Sequence, residues 1–384
     1  MQPYSGIVEV EGKEIRWETT FDQSIKFKCT NCGYCCTSSN VEMSDDEVLE
    51  IKGLGKNGFS EDFVTEEGNN SKRIKGSDKD ACMFLDGKKL CSVYEHRPSV
   101  CRLYPFKLVP VSESLVKIDV TYSCKSILRK HFAKENEVDF GNLVKEFMQH
   151  PFLGNKEKYK AQKLHESVKE FLDKDMAVTE CWNTIIGEVK SMEYFEQIWD
   201  LLDAFEKSRT NFKGILKRSN AKEYISDSIS KYKSLKSEIK PNYSPDFFRG
   251  SHSRPYQTMD LPTNKVYYFS ITGNEVTFRS KEETKVYPIS SVAKKQLMAG
   301  AKDFLSEYLR TLWERQITRQ KIEQIVHETR GPSFTIQLQA AKKKFLLFSF
   351  FMDAIAHNRG INEITLQDAQ EAVFPFDLIF CYMH

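Results

Sequence analysis

The chain lacks a long apolar run. Its longest, residues 345–352, is broken by Ser349 and preceded by Lys342, Lys343 and Lys344. A membrane-spanning helix needs about 18 or more apolar residues, so no span is expected. Excess charge of one sign is also missing. The 56 basic and 54 acidic residues leave a net charge of +2, which excludes a polycationic nucleic-acid coat and an acidic tail protein. The opening Met1-Gln2-Pro3-Tyr4-Ser5 has no cationic segment followed by an apolar stretch, so a cytoplasmic location is expected. No G-x-x-x-x-G-K-[ST] loop occurs, and H-E-x-x-H and G-x-S-x-G are absent, which removes the motifs of phosphate loops, zinc hydrolases and nucleophile elbows. Histidine is scarce, and of the 8 present only His96 lies among the cysteines.

Cysteine is what the chain does have. Eight of its ten cysteines fall in one stretch: Cys29, Cys32, Cys35, Cys36, Cys82, Cys91, Cys101 and Cys124. A cytosolic chain of 384 residues can bury a core without disulfides, so crowded thiols there read as metal ligands or redox groups. Cys29-Thr30-Asn31-Cys32-Gly33-Tyr34-Cys35-Cys36 is a C-x2-C-x2-C-C run. Two-residue gaps let successive thiolates face one centre, and Gly33 can take the left-handed backbone of a tight turn. Three cysteines at this interval match the first ligands of a bacterial ferredoxin run, whereas zinc ribbons generally use two separated pairs. The spacing favours an iron–sulfur cluster, with zinc as the alternative. Eight thiols could serve two four-ligand centres, or one centre with thiols to spare. His96 is a candidate ligand in a mixed site. Arg97 and Arg102 flank the thiols and could lower their pKa. Cys101, in the first turn of a helix opening near Pro98, would gain from the helix dipole. Cys181 and Cys381 sit among apolar residues and read as core.

The run at Cys29–Cys36, the segment Cys82-Met83-Phe84-Leu85, and Tyr94-Glu95-His96-Arg97-Pro98 leading to Cys101-Arg102-Leu103-Tyr104-Pro105-Phe106 together resemble the YkgJ-type CxxCxxCC cysteine-cluster family. The resemblance covers about residues 27–124. It implies a zinc- or iron-chelating domain. Flagellin lysine N-methylases are distant relatives, with a different cysteine run.

The expected fold is α+β and mainly helical, with a small cysteine-rich module and small antiparallel sheets near both ends. Three segments are expected: a cysteine-rich metal-binding domain at 1–125, a helical domain with a basic end at 126–240, and a hairpin plus helical domain at 241–384. Residues 7–10 and 14–17 read as a hairpin, and 24–27 as a further strand. Ser44 to Glu47 is a capping box opening a helix to about Ile51. Residues 53–80, with five glycines, read as loop around a short helix at 61–64. Residues 107–109 and 115–120 form a second hairpin. Helices are expected at 139–148, 156–172, 178–189, 193–205, 292–315 and 335–357. Strands are expected at 265–271, 275–279 and 285–287. A second capping box at Thr365–Asp368 opens a last helix that Pro375 interrupts. Residues 241–255 read as a linker or crossing loop.

Three functions compete. The first is a metal-cluster protein with an electron-transfer or redox role and a protein partner. The second is an enzyme resembling the flagellin methylases, which would bind S-adenosylmethionine. The third is a zinc-stabilised module binding a protein or nucleic acid. Residues 207–240 carry seven more basic than acidic residues, with Tyr224 and Tyr232 interleaved, which suits an acidic partner or a solvated face.

Overall fold

The computed structural model describes residues 2–37, 41–54, 64–67, 71–74, 82–88, 90–128, 137–150, 176–209, 218–234, 242–244, 248, 255–320 and 333–382. The fold is α+β, and contacts divide it into two compact units, Met1–Lys163 and Leu164–His384.

The first unit opens with a hairpin of β1 (Pro3–Val10) and β2 (Lys13–Asp22). Its two turn residues, Glu11 and Gly12, both have positive φ, at 51° and 75°, which matches the right-handed twist of the strands. Trp17 lies opposite Gly6, and a Cβ on Gly6 would stand 2.8 Å from the indole, so only glycine lets the ring lie flat across the strand. Val41–Met43, Val64–Glu67 and Ser71–Ile74 form β3, β4 and β5. A second hairpin, β6 (Phe106–Ser112) and β7 (Leu115–Val120), joins the first through a parallel β2–β7 pairing, giving the order β1-β2-β7-β6. Phe21, Phe106 and Phe140 meet on this sheet with ring centroids 5.0 to 6.1 Å apart.

Four helices complete the described part of this unit: α1 (Asp45–Gly53), α2 (Ser99–Leu103), α3 (Lys125–Leu128) and α4 (Phe140–Gln149). The expected capping box opens α1, with Ser44 and Glu47 bonding reciprocally. Asp139 caps α4, whose Phe140, Leu143, Val144 and Phe147 are buried.

Two expectations fail here. Residues 24–27 are not a strand: the chain turns at Asp22, and the Phe27 carbonyl accepts from the Glu137 amide instead of a ladder neighbour. The loop expected at 53–80 contains β4 and β5, which join β3 in the order β3-β5-β4. Both strands are short and polar, so their pairing leaves no apolar alternation to read. Of the short helix expected at 61–64, residues 61–63 lie outside the described residues and Val64 starts β4.

The second unit carries a four-stranded meander, β8 (Tyr256–Asp260), β9 (Lys265–Thr272), β10 (Glu275–Arg279) and β11 (Thr284–Pro288), in the order β11-β10-β9-β8. Its helices are α5 (Met176–Glu188), α6 (Gln197–Arg209), α7 (Arg218–Ser234), α8 (Ala299–Glu314), α9 (Ser333–Asn358) and α10 (Leu366–Tyr382). The helix expected at 156–172 falls outside the described residues. Helix α8 starts seven residues later than expected, because Gln296–Leu297 pairs in parallel with Glu363–Ile364 as a two-stranded ladder of β12 and β13.

As its apolar sequence requires, α9 is buried, with Phe345, Phe348, Phe350 and Phe351 at 0% exposure. Phe348 stacks on Phe376 at 4.2 Å. Tyr243 and Phe248, within the expected linker, are buried against Phe350. Helix α10 continues through Pro375 rather than stopping there. Proline removes the amide that would bond the Glu371 carbonyl. The Thr258 hydroxyl donates to that carbonyl at 2.7 Å, and burial of Phe374 and Phe376 holds the helix closed.

A candidate metal centre in the first unit

All eight clustered cysteines lie in the first unit, and all are free thiols. They arrive from four places: the run before β3, the turn after β5, α2, and the turn between β7 and α3. Asn31 and Gly33 both have positive φ, 49° and 73°, so the run winds back on itself where the spacing expects a turn. Amides of Cys36 and Thr37 bond the carbonyls of Gly33 and Tyr34, closing that turn. The Cys35 and Cys36 sulfurs stand 4.0 Å apart.

The Cys82 amide donates to the Cys36 carbonyl, at 2.6 Å. A bridge between Leu85 and Cys91 folds the next turn back, with the Ser92 amide on the Phe84 carbonyl. Cys82, Cys91 and Cys101 pack against one apolar cluster of Val41, Met43, Val48, Ile51, Phe84 and Val93. On the other side, the Ser126 hydroxyl donates to the Lys28 carbonyl, tying the start of the run to the chain just after Cys124.

Backbone amides are aimed at several sulfurs: Phe84 at Cys82, Val93 at Cys91, and Ile127 and Ser126 at Cys124. Such donors favour thiolate, the form that binds metal. Burial opposes them. It pushes Cys82 up to about 11, and Cys101 and Cys124 up to about 12, with neighbouring thiols adding to the effect. The helix-dipole gain expected for Cys101 is therefore outweighed. The hydrogen bond between Cys35 and Cys36 pulls them apart, holding Cys36 down at about 7 and Cys35 well above its ordinary value.

Arg97 stacks 3.7 Å above the Tyr94 ring; its charge helps to hold Cys36 down but only opposes, without overcoming, the rise that burial imposes on Cys91 and Cys101. Arg102 works differently, bonding Glu146 and the Ser99 hydroxyl. His96 pairs with Glu50 at 2.8 Å on the surface. Cys181 is buried, as expected of core, and the Cys381 side chain lies outside the described residues.

Among the described residues, no three cysteine, histidine or carboxylate side chains stand placed to hold one metal ion together. The donor chemistry nevertheless fits a thiophilic metal: buried free thiols, amides directed at sulfur, and a nearby guanidinium to offset thiolate charge. Residues 53–58 carry the letters G-x-G-x-x-G. Gly53 ends α1, whereas a dinucleotide turn follows a strand and opens a helix, so this spacing marks no nucleotide site.

Residues 28–135 match the model of the CxxCxxCC family, described as "Putative zinc- or iron-chelating domain". Over 106 residues the chain is 30% identical to an uncharacterized protein of Methanocaldococcus jannaschii, covering 26% of this chain and 54% of that protein. The chain thus spans about half the length of this curated relative. No solved structure matches it. The family match covers all eight clustered cysteines and supports metal binding by this segment.

Proposed function

We propose that the cysteine-rich segment holds iron and inorganic sulfide rather than zinc, and that the chain serves electron transfer or redox sensing with a protein partner. The observation carrying this reading is the C-x2-C-x2-C run wound through left-handed Asn31 and Gly33, with further thiols reaching it from distant segments. Two-cluster ferredoxins use such a run, with the next cysteine serving a second cluster. Zinc ribbons instead rely on two short-spaced pairs. A bound cluster would supply one-electron redox chemistry. The chain would hold it through sulfur, direct amides at Cys82, Cys91 and Cys124, and offset negative charge with Arg97.

The basic segment gains little as a nucleic-acid surface: Tyr224 is buried in α7, donating its hydroxyl to the Phe205 carbonyl at 2.5 Å. The test is spectroscopic. Protein purified without oxygen should absorb broadly near ~400 nm, the region of thiolate-ligated clusters, and bleach reversibly with dithionite. A colourless, dithionite-silent protein with bound zinc would refute the iron–sulfur assignment.

A further inference from the structure

Resting on the metal-binding reading, we propose that the eight thiols form two separate four-sulfur centres. Cys29, Cys32, Cys35 and Cys124 would hold one, Cys36, Cys82, Cys91 and Cys101 the other, with the chain forking between Cys35 and Cys36. The second set is assembled by the Cys82 amide on the Cys36 carbonyl, the Leu85–Cys91 bridge, and the shared apolar cluster under Cys82, Cys91 and Cys101. The first set is assembled by the Ser126–Lys28 bond, which brings Cys124 to the start of the run.

The adjacent cysteines are the decisive pair. Their sulfurs are 4.0 Å apart, which alone would also suit two ligands of one metal, since tetrahedral bonds of about 2.3 Å separate sulfurs by about 3.8 Å. Their surroundings differ, however. Besides Cys36, Cys35 interacts with Cys124 and Cys32. Cys36 is instead the common neighbour of Cys82, Cys91 and Cys101. Cys124 in turn interacts with Cys32 and Cys29. Cys91 also interacts with Cys29, which places the two sets beside each other.

The experiment measures metal per full-length chain, purified without oxygen. Cys124→Ser and Cys101→Ser should each retain half of the wild-type metal. The double variant Cys82→Ser/Cys101→Ser should also keep half, and Cys101→Ser/Cys124→Ser should keep none. Loss of all metal in Cys82→Ser/Cys101→Ser would overturn the division. A readout on wild type avoids any folding defect. Partial chelation, thiol alkylation and intact-mass analysis should reveal chains with four of the eight clustered thiols newly modified. In those chains the Cys124 peptide should be modified separately from the Cys82, Cys91 and Cys101 peptides. Only fully protected and fully modified chains would overturn the assignment while leaving metal binding intact. A wild-type chain that binds no metal would overturn metal binding and the assignment together.

Discussion

Glu47 joins the capping of α1 to the helix that carries Cys101, so its removal should loosen both. Its carboxylate accepts from the Ser44 amide at 2.9 Å and the Ser99 amide at 2.6 Å, and His150 Nε2 lies 3.6 Å away. The side chain is only 12% exposed. Burial opposes its charge, yet the neighbouring His150 and hydrogen bonds from the Ser99 and Ser44 amides hold the carboxyl down at about 2. Hydrogen bonds to a charged group contribute about 1.5–3 kcal/mol each, so two give about 3–6 kcal/mol. The pKa route, from an ordinary 4.5 to about 2, gives about 3 kcal/mol. Because the folded-state pKa is depressed, this stability is present above about pH 4.5 and is lost as pH falls toward about 2.

Glu47→Ala should therefore lower protection of the α1 amides by about 100-fold in hydrogen–deuterium exchange of the metal-free, reduced full-length chain at pH 7. Glu47→Gln, which keeps an acceptor but not the charge, should cost about 1–2 kcal/mol. A change below about threefold in Glu47→Ala would mean that the Glu47 carboxylate does not hold α1 in place.

Other predictions concern the second unit. Burial raises the Asp353 carboxyl to about 7, against hydrogen bonds from Tyr243 and the Lys295 amide. Its folded-state pKa lies above the unfolded value, so stability should fall as pH rises from about 4 through about 7. Asp353→Asn should flatten that slope in urea midpoints measured across this range. Thr258→Val would leave the Glu371 carbonyl without its hydroxyl donor beside Pro375 and should cost about 1–2 kcal/mol by urea unfolding. Phe348→Ala, which empties the space between Phe376, Phe195 and Tyr308, should cost about 3–5 kcal/mol in the same assay.

Much of this architecture is legible in the chain because it follows local rules. The Glu11-Gly12 turn, the capping box at Ser44, the helix after Pro98 and the apolar α9 each depend on a few neighbouring residues. What is not legible depends on distant partners. Polar β4 and β5 form through pairing with each other and β3. Helix α10 passes Pro375 because Thr258, over a hundred residues away, bonds the freed carbonyl. At the site, the thiols are visible by composition and their turn by Gly33. Their neighbours are not, since the contacts joining Cys36 to Cys82 and Lys28 to Ser126 span 46 and 98 residues. The engagement of His96 by Glu50 is equally remote, 46 residues apart.

Iron, zinc and acid-labile sulfide, counted per chain after purification without oxygen, test metal binding most directly. Iron and sulfide should be present in near-equal amounts, with little zinc. Stoichiometric zinc without sulfide would leave a chelating domain but remove its redox role. A chain with neither metal, its clustered cysteines paired as disulfides, would mean that this segment chelates no metal.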